Sequence, residues 1–557
     1  MLTRYWIKNF KSFADVEPVR LSPITLVVGQ NSSGKSSIIQ SLLMLKQSLD
    51  PASNQTGRPV FRGNAVDLGS FVSAVHRHDK NRTMTVGLEF SVDQTSGSLM
   101  FPGSESRFVR ERNRSVEFNI VASKTEGSRS NKKNSVALST LRLGLRGLNN
   151  AATDSDDSFL SKDFLLSFSS EKLRAKDVRD FPAGWGREAY SFQNDEDIEL
   201  FAKYLCWLHE RGRRRNQGLR ARGGLLLHRI SEAKHELSQL SGSKRSDRKR
   251  ERLRERINEL EKRYALLEER QRTTLPLEEV IEDLKGHKFI KNGILPGFMF
   301  PTDDTDTIRD HRFEPVRLVQ NLGREFGSII NSASYLGPLR SPPSRHYVVS
   351  DVVGDTVGSS GEYMPDLLIR SGDRAIQSKI TSWFEVFEIP YSLKIREFGE
   401  HQFTGSMVSL NLIDNRSGVE VGPSDVGFGI GQLMPILVEG VVFEERTILV
   451  EQPEIHLHPK LQAHIADFFI ATSVDEEGGN NQWIVETHSE ALILRLQRRI
   501  REGAIKNSDV TILYVGNSEG GTAEISEIRL DDRGEFLDEW PEGFFEEDFN
   551  EIFGDIE

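Results

Sequence analysis

Cysteine is almost missing from this chain: Cys206 is the only one in 557 residues. A single thiol forms no internal disulfide and no thiolate metal cluster, and within YLCWL it reads as a small hydrophobe in an apolar face. Long apolar runs are missing too. No window approaches about 20 uninterrupted apolar residues, and the opening MLTRYWIKNF has no apolar core of signal-peptide length, so a cytoplasmic protein without membrane association is expected. What is present, 37% hydrophobic and 28% charged residues, describes a soluble globular protein. Its length exceeds one ordinary core, so two or three units are expected, with room for one inserted in another.

The formal net charge of -11 hides an asymmetry. Residues 211–272 hold 20 Lys/Arg against 9 Asp/Glu, whereas residues 531–557 hold 1 basic and 12 acidic residues. Any polyanion is therefore bound locally.

The first fifty residues read as strand, turn, strand, loop and helix, with TLVV (residues 25–28) a buried strand and residues 36–49 apolar at helical spacing. MTVGLEFSV and SVEFNIVAS alternate as antiparallel strands do. In the middle, Leu226, Ile230, Ala233, Leu237 and Leu240 form one heptad seam, and Leu253, Ile257, Leu260, Tyr264 and Leu267 another. SGSKRSD between them suits a tight connection, which predicts an antiparallel hairpin with short arms of roughly 25 to 40 Å. After residue 336, TILVE, QWIVET and VTILYV alternate with helices starting near Lys460 and Ser489, the pattern of a parallel sheet covered by helices.

GQNSSGKS satisfies G-x-x-x-x-G-K-[ST] in full, between an apolar strand and an amphipathic helix. Its residues, Gly29, Gln30, Asn31, Ser32, Ser33, Gly34, Lys35, Ser36 and the following Ser37, are the candidate nucleotide cradle: loop N–H groups and a helix N-terminus face an anion, Lys35 reaches the β and γ phosphates, and Ser36 offers a hydroxyl to Mg²⁺. Glu451 ends the apolar strand TILVE, where an acid can hold that metal. A second strand ends in Glu486, Thr487, His488 and Ser489, and His488 is placed to sense a γ-phosphate.

These pieces, in this order, resemble the ABC-type ATPases of the RecF and SMC branch, as does IKNFKSF (residues 7–13). More narrowly, EQPEIHLHP, ETHSE and WPEGFF resemble prokaryotic RecF-like ATPases of anti-phage systems (PtuA-like, Septu or retron-associated). VDLGSF (residues 66–71), YLGPLR (335–340) and DVGFGIGQLMP (425–435) also match that group. The resemblance covers about the first 80 and the last 225 residues. It implies an α/β fold, an ABC-type P-loop NTPase head formed by the N- and C-terminal segments, with an inserted antiparallel helical hairpin. The expected division is residues 1–195 and 291–530 for the two parts of the head, 196–290 for the basic hairpin, and 531–557 for an acidic tail.

The resemblance further implies ATP and Mg²⁺ as cofactors, Ser36 and Glu451 as metal ligands, and His488 as switch histidine. Gly429, Ile430, Gly431 and Gln432 become the signature segment that contacts a γ-phosphate bound by the opposite subunit of a homodimer or higher even oligomer. Many relatives carry serine where Gly431 stands, so one donor is lost and backbone N–H groups remain. The residue after the Walker B acid is usually a glutamate; here it is Gln452, which accepts no proton at neutral pH. Three readings stay open: Gln452 orients the water, Glu454 takes the role, or hydrolysis is slow and the ATP-bound dimer is the meaningful state. The last is favoured, because Gln452 and Gly431 both weaken the γ-phosphate end.

His456 and His458 invite a metal reading with Glu454, but histidines two apart before Pro459 lie in a turn, and a zinc site needs three or four convergent ligands. Arg211, Arg213, Arg214, Arg215, Lys244, Arg245 and Arg248 are candidates for a nucleic-acid backbone; a protein docking site and a solvated coiled-coil surface are the rivals. Few aromatics sit there, against base stacking. In the tail, Phe545, Phe549, Ile552 and Phe553 fall at helical spacing. The expectation is an ATPase that gates a separate nuclease of HNH type, with nucleic acid or a retron reverse transcriptase–RNA complex as further candidate partners. The residues after ETHSE are too few for a Toprim nuclease domain. The alternatives are a RecF-like DNA repair or loading ATPase and an ATP-stabilised scaffold.

Overall fold

The computed structural model describes residues 1–50, 54, 57–91, 113–123, 135–145, 164–172, 188–203, 206, 217–239, 244–272, 276–285, 288–292, 294–300, 314–342, 344–348, 354–370, 374–401, 405–475, 479–518 and 520–541. The chain opens with β1 (Leu2–Phe10), β2 (Phe13–Arg20) and β3 (Ile24–Val28), one strand more than the sequence pattern suggests, followed by α1 (Lys35–Leu49). β4 (Met84–Phe90) and β5 (Arg114–Ser123), the alternating stretches, pair antiparallel with Met84 opposite Ile120. β6 (Ser135–Leu145), β7 (Phe164–Lys172) and β8 (Glu188–Phe192) extend this wing.

The helical pair α2 (Gln217–Ser238) and α3 (Lys244–Arg272) comes next in the chain. β9 (Lys288–Asn292) then returns to pair antiparallel with β8, and β10 (Leu295–Phe300) closes the wing, so the pair is an insertion between adjacent strands. Ala233, Leu253 and Ile257 are buried in its seam with Leu237 against them. Lys234 pairs with Glu261 at 2.7 Å and Lys249 with Glu236 at 2.8 Å. Rising numbers in α2 meet falling numbers in α3, so the hairpin is antiparallel. α3 has 29 residues, about 44 Å at 1.5 Å per residue, which corrects the shorter arm read from the seam alone. The charged flanks are good helix formers carrying i,i+4 pairs such as Glu259–Arg263 at 2.6 Å, and they prolong the helix beyond its apolar contacts.

α4 (Glu314–Ser332) leads to β11 (Ser334–Leu336). A small second sheet follows, with β12 (Tyr347–Val348), β13 (Tyr391–His401), β14 (Gly405–Asp414) and β15 (Glu420–Val421) arranged about β14. Then come α5 (Phe428–Val442), β16 (Thr447–Glu451), α6 (Pro459–Ser473), β17 (Gln482–Glu486), α7 (Glu490–Arg501), β18 (Val510–Asn517) and β19 (Ala523–Ile528). Among the described residues the large sheet has 15 strands, ordered β10-β9-β8-β7-β6-β5-β4-β1-β2-β19-β18-β3-β17-β16-β11. From β18 to β11 its pairings are parallel, so strands from both ends of the chain build one α/β head.

Strand periodicity divides the core. Val27, Leu449, Ile484, Leu513 and Val515 face the side packed by α1 and α4; Leu26, Val28, Ile448, Val450, Val485 and Ile512 face α5, α6 and α7. Each such side chain contributes about 1.5–3 kcal/mol on burial. Trp483 of β17 stacks 4.5 Å from Phe469 and donates Nε1–H to Thr472 Oγ1 at 2.9 Å, fixing α6 on the sheet. No described helix is long and apolar enough to cross a membrane.

Candidate nucleotide-binding site

The carboxyl ends of β3, β17 and β16 lie side by side, with Glu451 in register with Glu486 and Glu486 with Val27. β17 stands between the strand that leads into the glycine-rich loop and the strand that ends in Glu451. At 4.7–4.9 Å per strand, the two ends are about 10 Å apart. That gap is wide enough for a polyphosphate, and the segment after β17 begins between the two ends.

Residues 29–36 form the turn the motif requires. Gly29 has φ 139°, and a Cβ there would overlap the carbonyl oxygen of Val515 in β18; only glycine combines that dihedral with so close an approach. Gln30, Asn31 and Ser32 are exposed on the rim, while Ser33, Lys35 and Ser37 are buried. Lys35 opens α1 and donates Nζ to the carbonyls of Gly29 at 3.0 Å and Gln30 at 2.7 Å. Burial lowers its pKa, against the attraction of Glu486 and Glu454. Ser33 Oγ is buried without a partner.

Three carboxylates gather opposite. Burial, with the Glu486 carboxylate beside it, pushes Glu451 up to about 7, and Tyr335 donates its hydroxyl to Glu451 Oε1 at 3.1 Å. Glu486 is raised by burial, against the influence of the nearby Ser36 and Lys35 side chains, and its Oε2 is buried without a partner. Ser36 thus stands near Glu486, a strand-end residue that sequence reasoning left out of the metal set. The orphaned Ser33 and Glu486 oxygens, beside a lysine and a helix N-terminus, suit a magnesium-bound triphosphate.

Glu454 is also raised by burial, and both its oxygens are occupied: Thr487 Oγ1 donates to Oε2 at 2.9 Å and the His488 backbone N–H to Oε1 at 2.7 Å. Its carboxylate braces the turn after β16 against the segment after β17, with each oxygen accepting one hydrogen bond. Gln452 is half-buried with φ 47°, a left-handed backbone unusual for a side chain of its size, and its N–H donates to the Glu486 carbonyl at 2.7 Å. His488 is half-buried at the same end, and burial followed by the charge of Lys35 lowers its pKa, favouring neutral imidazole.

Gly429, Ile430, Gly431 and Gln432 lie in the first turns of α5, which Gly427 caps. A Cβ on Gly429 would stand 2.7 Å from the His456 carbonyl, so α5 packs directly on the turn after β16. Gln432, placed by the sequence reading in a segment that faces another subunit, is 1% exposed and turned inward. It belongs to a buried helical stripe with Ile436 and Glu439, which the sequence spacing could have signalled. His458 Nδ1 accepts from Lys460 N at 3.3 Å as the N-cap of α6, and no cluster of three metal-ligating side chains occurs among the described residues.

Arg211, Arg213, Arg214 and Arg215 lie outside the described residues, as do the tail positions from 542 onward. Lys244, Arg245 and Arg248 fall in the first turns of α3. The ion pairs along α2 and α3 show part of the hairpin's charge neutralised within it. Tyr335 and Arg340, from the quoted YLGPLR, reach the site but were not singled out as site residues.

Residues 1–180 and 366–493, more than half of the chain, match the family described as AAA ATPase domain. Residues 505–553 match one described as Protein of unknown function (DUF3696). No curated protein matches the chain. Among solved structures it is similar to the Smc head domain with an extended coiled coil bound to the C-terminal domain of ScpA, from Pyrococcus furiosus, at 13% identity over 95% of this chain and 96% of that one, with TM-score 0.36. An Smc head domain with a coiled coil and joint from Pyrococcus yayanosii gives 14%, 96%, 98% and 0.34 for the same quantities. The SMC head domain from Thermotoga maritima gives 10%, 95%, 99% and 0.32. With its glycine-rich loop, strand-end acids and two-part head on one sheet, the chain belongs to the AAA ATPase domain family.

Proposed function

We propose that this protein binds ATP with Mg²⁺, hydrolyses it slowly, and acts as the nucleotide-held subunit of an anti-phage system that gates a separate nuclease. The observation that carries the slow-hydrolysis reading is Gln452, which takes the place after Glu451 in a left-handed turn, with Glu454 already engaged by Thr487 and His488. Lys35 and the loop N–H groups would hold the phosphates, Ser36 and Glu451 would hold the metal with Glu486 near them, and neutral His488 would orient the γ-phosphate. When bound, Mg²⁺ supplies neutralisation of the phosphate oxygens' charge. Gln452 then orients water without taking its proton, which positioning chemistry permits at a reduced rate.

The same reading divides the chain into a head of residues 1–195 and 291–530, a basic hairpin of 196–290 and an acidic tail of 531–557. The head forms a homodimer or higher even oligomer in the cytoplasm, with residues 429–431 facing the partner's nucleotide and the hairpin facing nucleic acid or the effector. The test is steady-state ATP hydrolysis by the purified protein, with Lys35→Ala as blank and Gln452→Glu alongside. Wild-type turnover near the blank, with Gln452→Glu well above it, is the expected result; brisk wild-type turnover that Gln452→Glu leaves unchanged refutes the held switch. The defence role fails if neither a nuclease co-purifies from the native operon nor loss of the gene alters phage resistance.

A further inference from the structure

Arg340 is a buried cation that the proposed chemistry leaves unused. It is 3% exposed, and burial draws its pKa down to about 10, so it stays charged at neutral pH. The carboxylates of Glu454 and Glu451 attract it, but its hydrogen bonds go to backbone. Nη2 donates to the carbonyl of Glu451 at 2.9 Å, and Nη1 points at the carbonyl of Gln452 at 3.5 Å. A planar fork is the shape that reaches two successive carbonyls; an ammonium on a flexible stem is not.

The backbone of Arg340 is itself held. Its N–H donates to Gln432 Oε1 at 3.3 Å, and Gln432 Nε2 donates to its carbonyl at 3.1 Å. Gln432 is a residue of α5. A continuous path therefore runs from α5 through the Gln432 amide and the Arg340 backbone, along the guanidinium, to the two peptide groups that set the left-handed turn at Gln452. The close approach of Gly429 to the His456 carbonyl joins α5 to the far side of the same turn.

We propose that Arg340 is a positioning residue that ties α5 to the turn after β16, so that the placement of Gln452 follows the position of α5. This deepens the proposed function and rests on it, since there Gln452 orients water and the N-terminus of α5 meets the partner's nucleotide. In this arrangement Gln432 acts within its own subunit. Nucleotide engaged at α5 is felt at the opposite γ-phosphate site through one guanidinium.

Amide hydrogen exchange over residues 452–457 tests the tie without any turnover. Gln432→Ala, Arg340→Gln, Arg340→Lys and the double variant Gln432→Ala/Arg340→Gln are compared with wild type. Gln432 has no bond to Glu451 or Gln452, yet Gln432→Ala is expected to speed exchange in this segment by about tenfold or more. The double variant should exchange no faster than Arg340→Gln, because both changes break one path. Unchanged exchange in Gln432→Ala, or effects that multiply in the double variant, overturns the proposal. Should Arg340→Gln fail to fold, Arg340→Lys, which keeps the charge and loses the fork, carries the same comparison. A fluorescent ATP analogue titrated into wild type and Lys35→Ala tests the underlying reading separately. Failure to bind refutes the nucleotide role while the exchange data still judge the tie; normal binding with uncoupled exchange refutes Arg340 alone.

Discussion

Replacing Gly29 by alanine separates a shaped phosphate loop from a merely glycine-rich turn. Two costs are set by the structure. The backbone at φ 139° is one that L residues rarely adopt, which costs about 1–3 kcal/mol. The added Cβ overlaps the Val515 carbonyl oxygen and lies 3.1 Å from its carbon. Val515 cannot retreat cheaply, because β18 is paired with β3 on one side and β19 on the other, so the overlap adds about 1–3 kcal/mol. The expected loss is about 2–6 kcal/mol, taken either as stability or as distortion of the loop, and the lower bound alone is roughly 30-fold in nucleotide affinity. Gly520→Ala is the matched control, since nothing lies within 4 Å of its Cβ; it should stay within about 0.5 kcal/mol of wild type. Urea unfolding and equilibrium binding of a fluorescent ATP analogue measure the two quantities. If Gly29→Ala remains within about 1 kcal/mol of wild type in both, the reasoning from loop geometry is wrong.

Three further outcomes follow from packing and charge elsewhere. Arg114 and Glu325 meet at 2.7 Å with side chains 2% and 4% exposed, so Arg114→Met or Glu325→Leu alone should cost about 3–5 kcal/mol in urea unfolding, while the double variant regains most of it. Burdening the hairpin seam with Ile257→Ala should remove about 2–5 kcal/mol from the pair α2–α3, seen as faster hydrogen exchange there with residues 24–28 and 447–451 unchanged. Glu420, held down to about 2 by Arg396, Asn411 and Lys394, stabilises the folded form above its unfolded pKa near 4.5, and that contribution is lost as pH falls through about 2. Glu420→Gln should therefore flatten the acid limb of a melting-temperature profile between those values; an unchanged limb would show the cluster to be energetically silent.

The phosphate loop was legible because its chemistry is local: a loop whose glycine dihedrals are fixed by spacing, entered from a β-branched strand and left by a helix. β16 and β17 were legible for the same reason, as short runs buried on both faces. The antiparallel wing showed itself through alternation in β4 and β5. What escaped the sequence depends on contacts between distant residues. Tyr335 reaches Glu451 across 116 positions and Arg340 reaches it across 111, and no periodicity announces such a meeting. Glu486 was visible as a strand end, but its nearness to Ser36 follows from β17 lying next to β3, which is a matter of sheet order. The arm length of the hairpin was underestimated because apolar spacing measures where two helices touch, and α3 continues on charged helix formers past that contact.

The geometry also narrows the choice that Gln452 posed. A base must have a free lone pair at the reacting water, and the candidates differ in how they are held. Each oxygen of Glu454 already accepts one hydrogen bond, from Thr487 and from the His488 N–H; Glu451 accepts from Tyr335 on one oxygen and, on the proposed reading, holds the metal with the other; Glu486 keeps Oε2 without a partner but is drawn to Lys35. His488 favours the neutral form, but it sits where burial and the charge of Lys35 both resist the proton it would gain. Turnover in such a site rests on orientation and phosphate charge stabilisation, which raise the rate without a strong base. On the proposed reading the lifetime of the ATP state is set by how firmly Gln452 is held, in a turn gripped from β17 through the Glu486 carbonyl and from α5 through Arg340. A partner that shifts α5 would change the lifetime without touching the nucleotide.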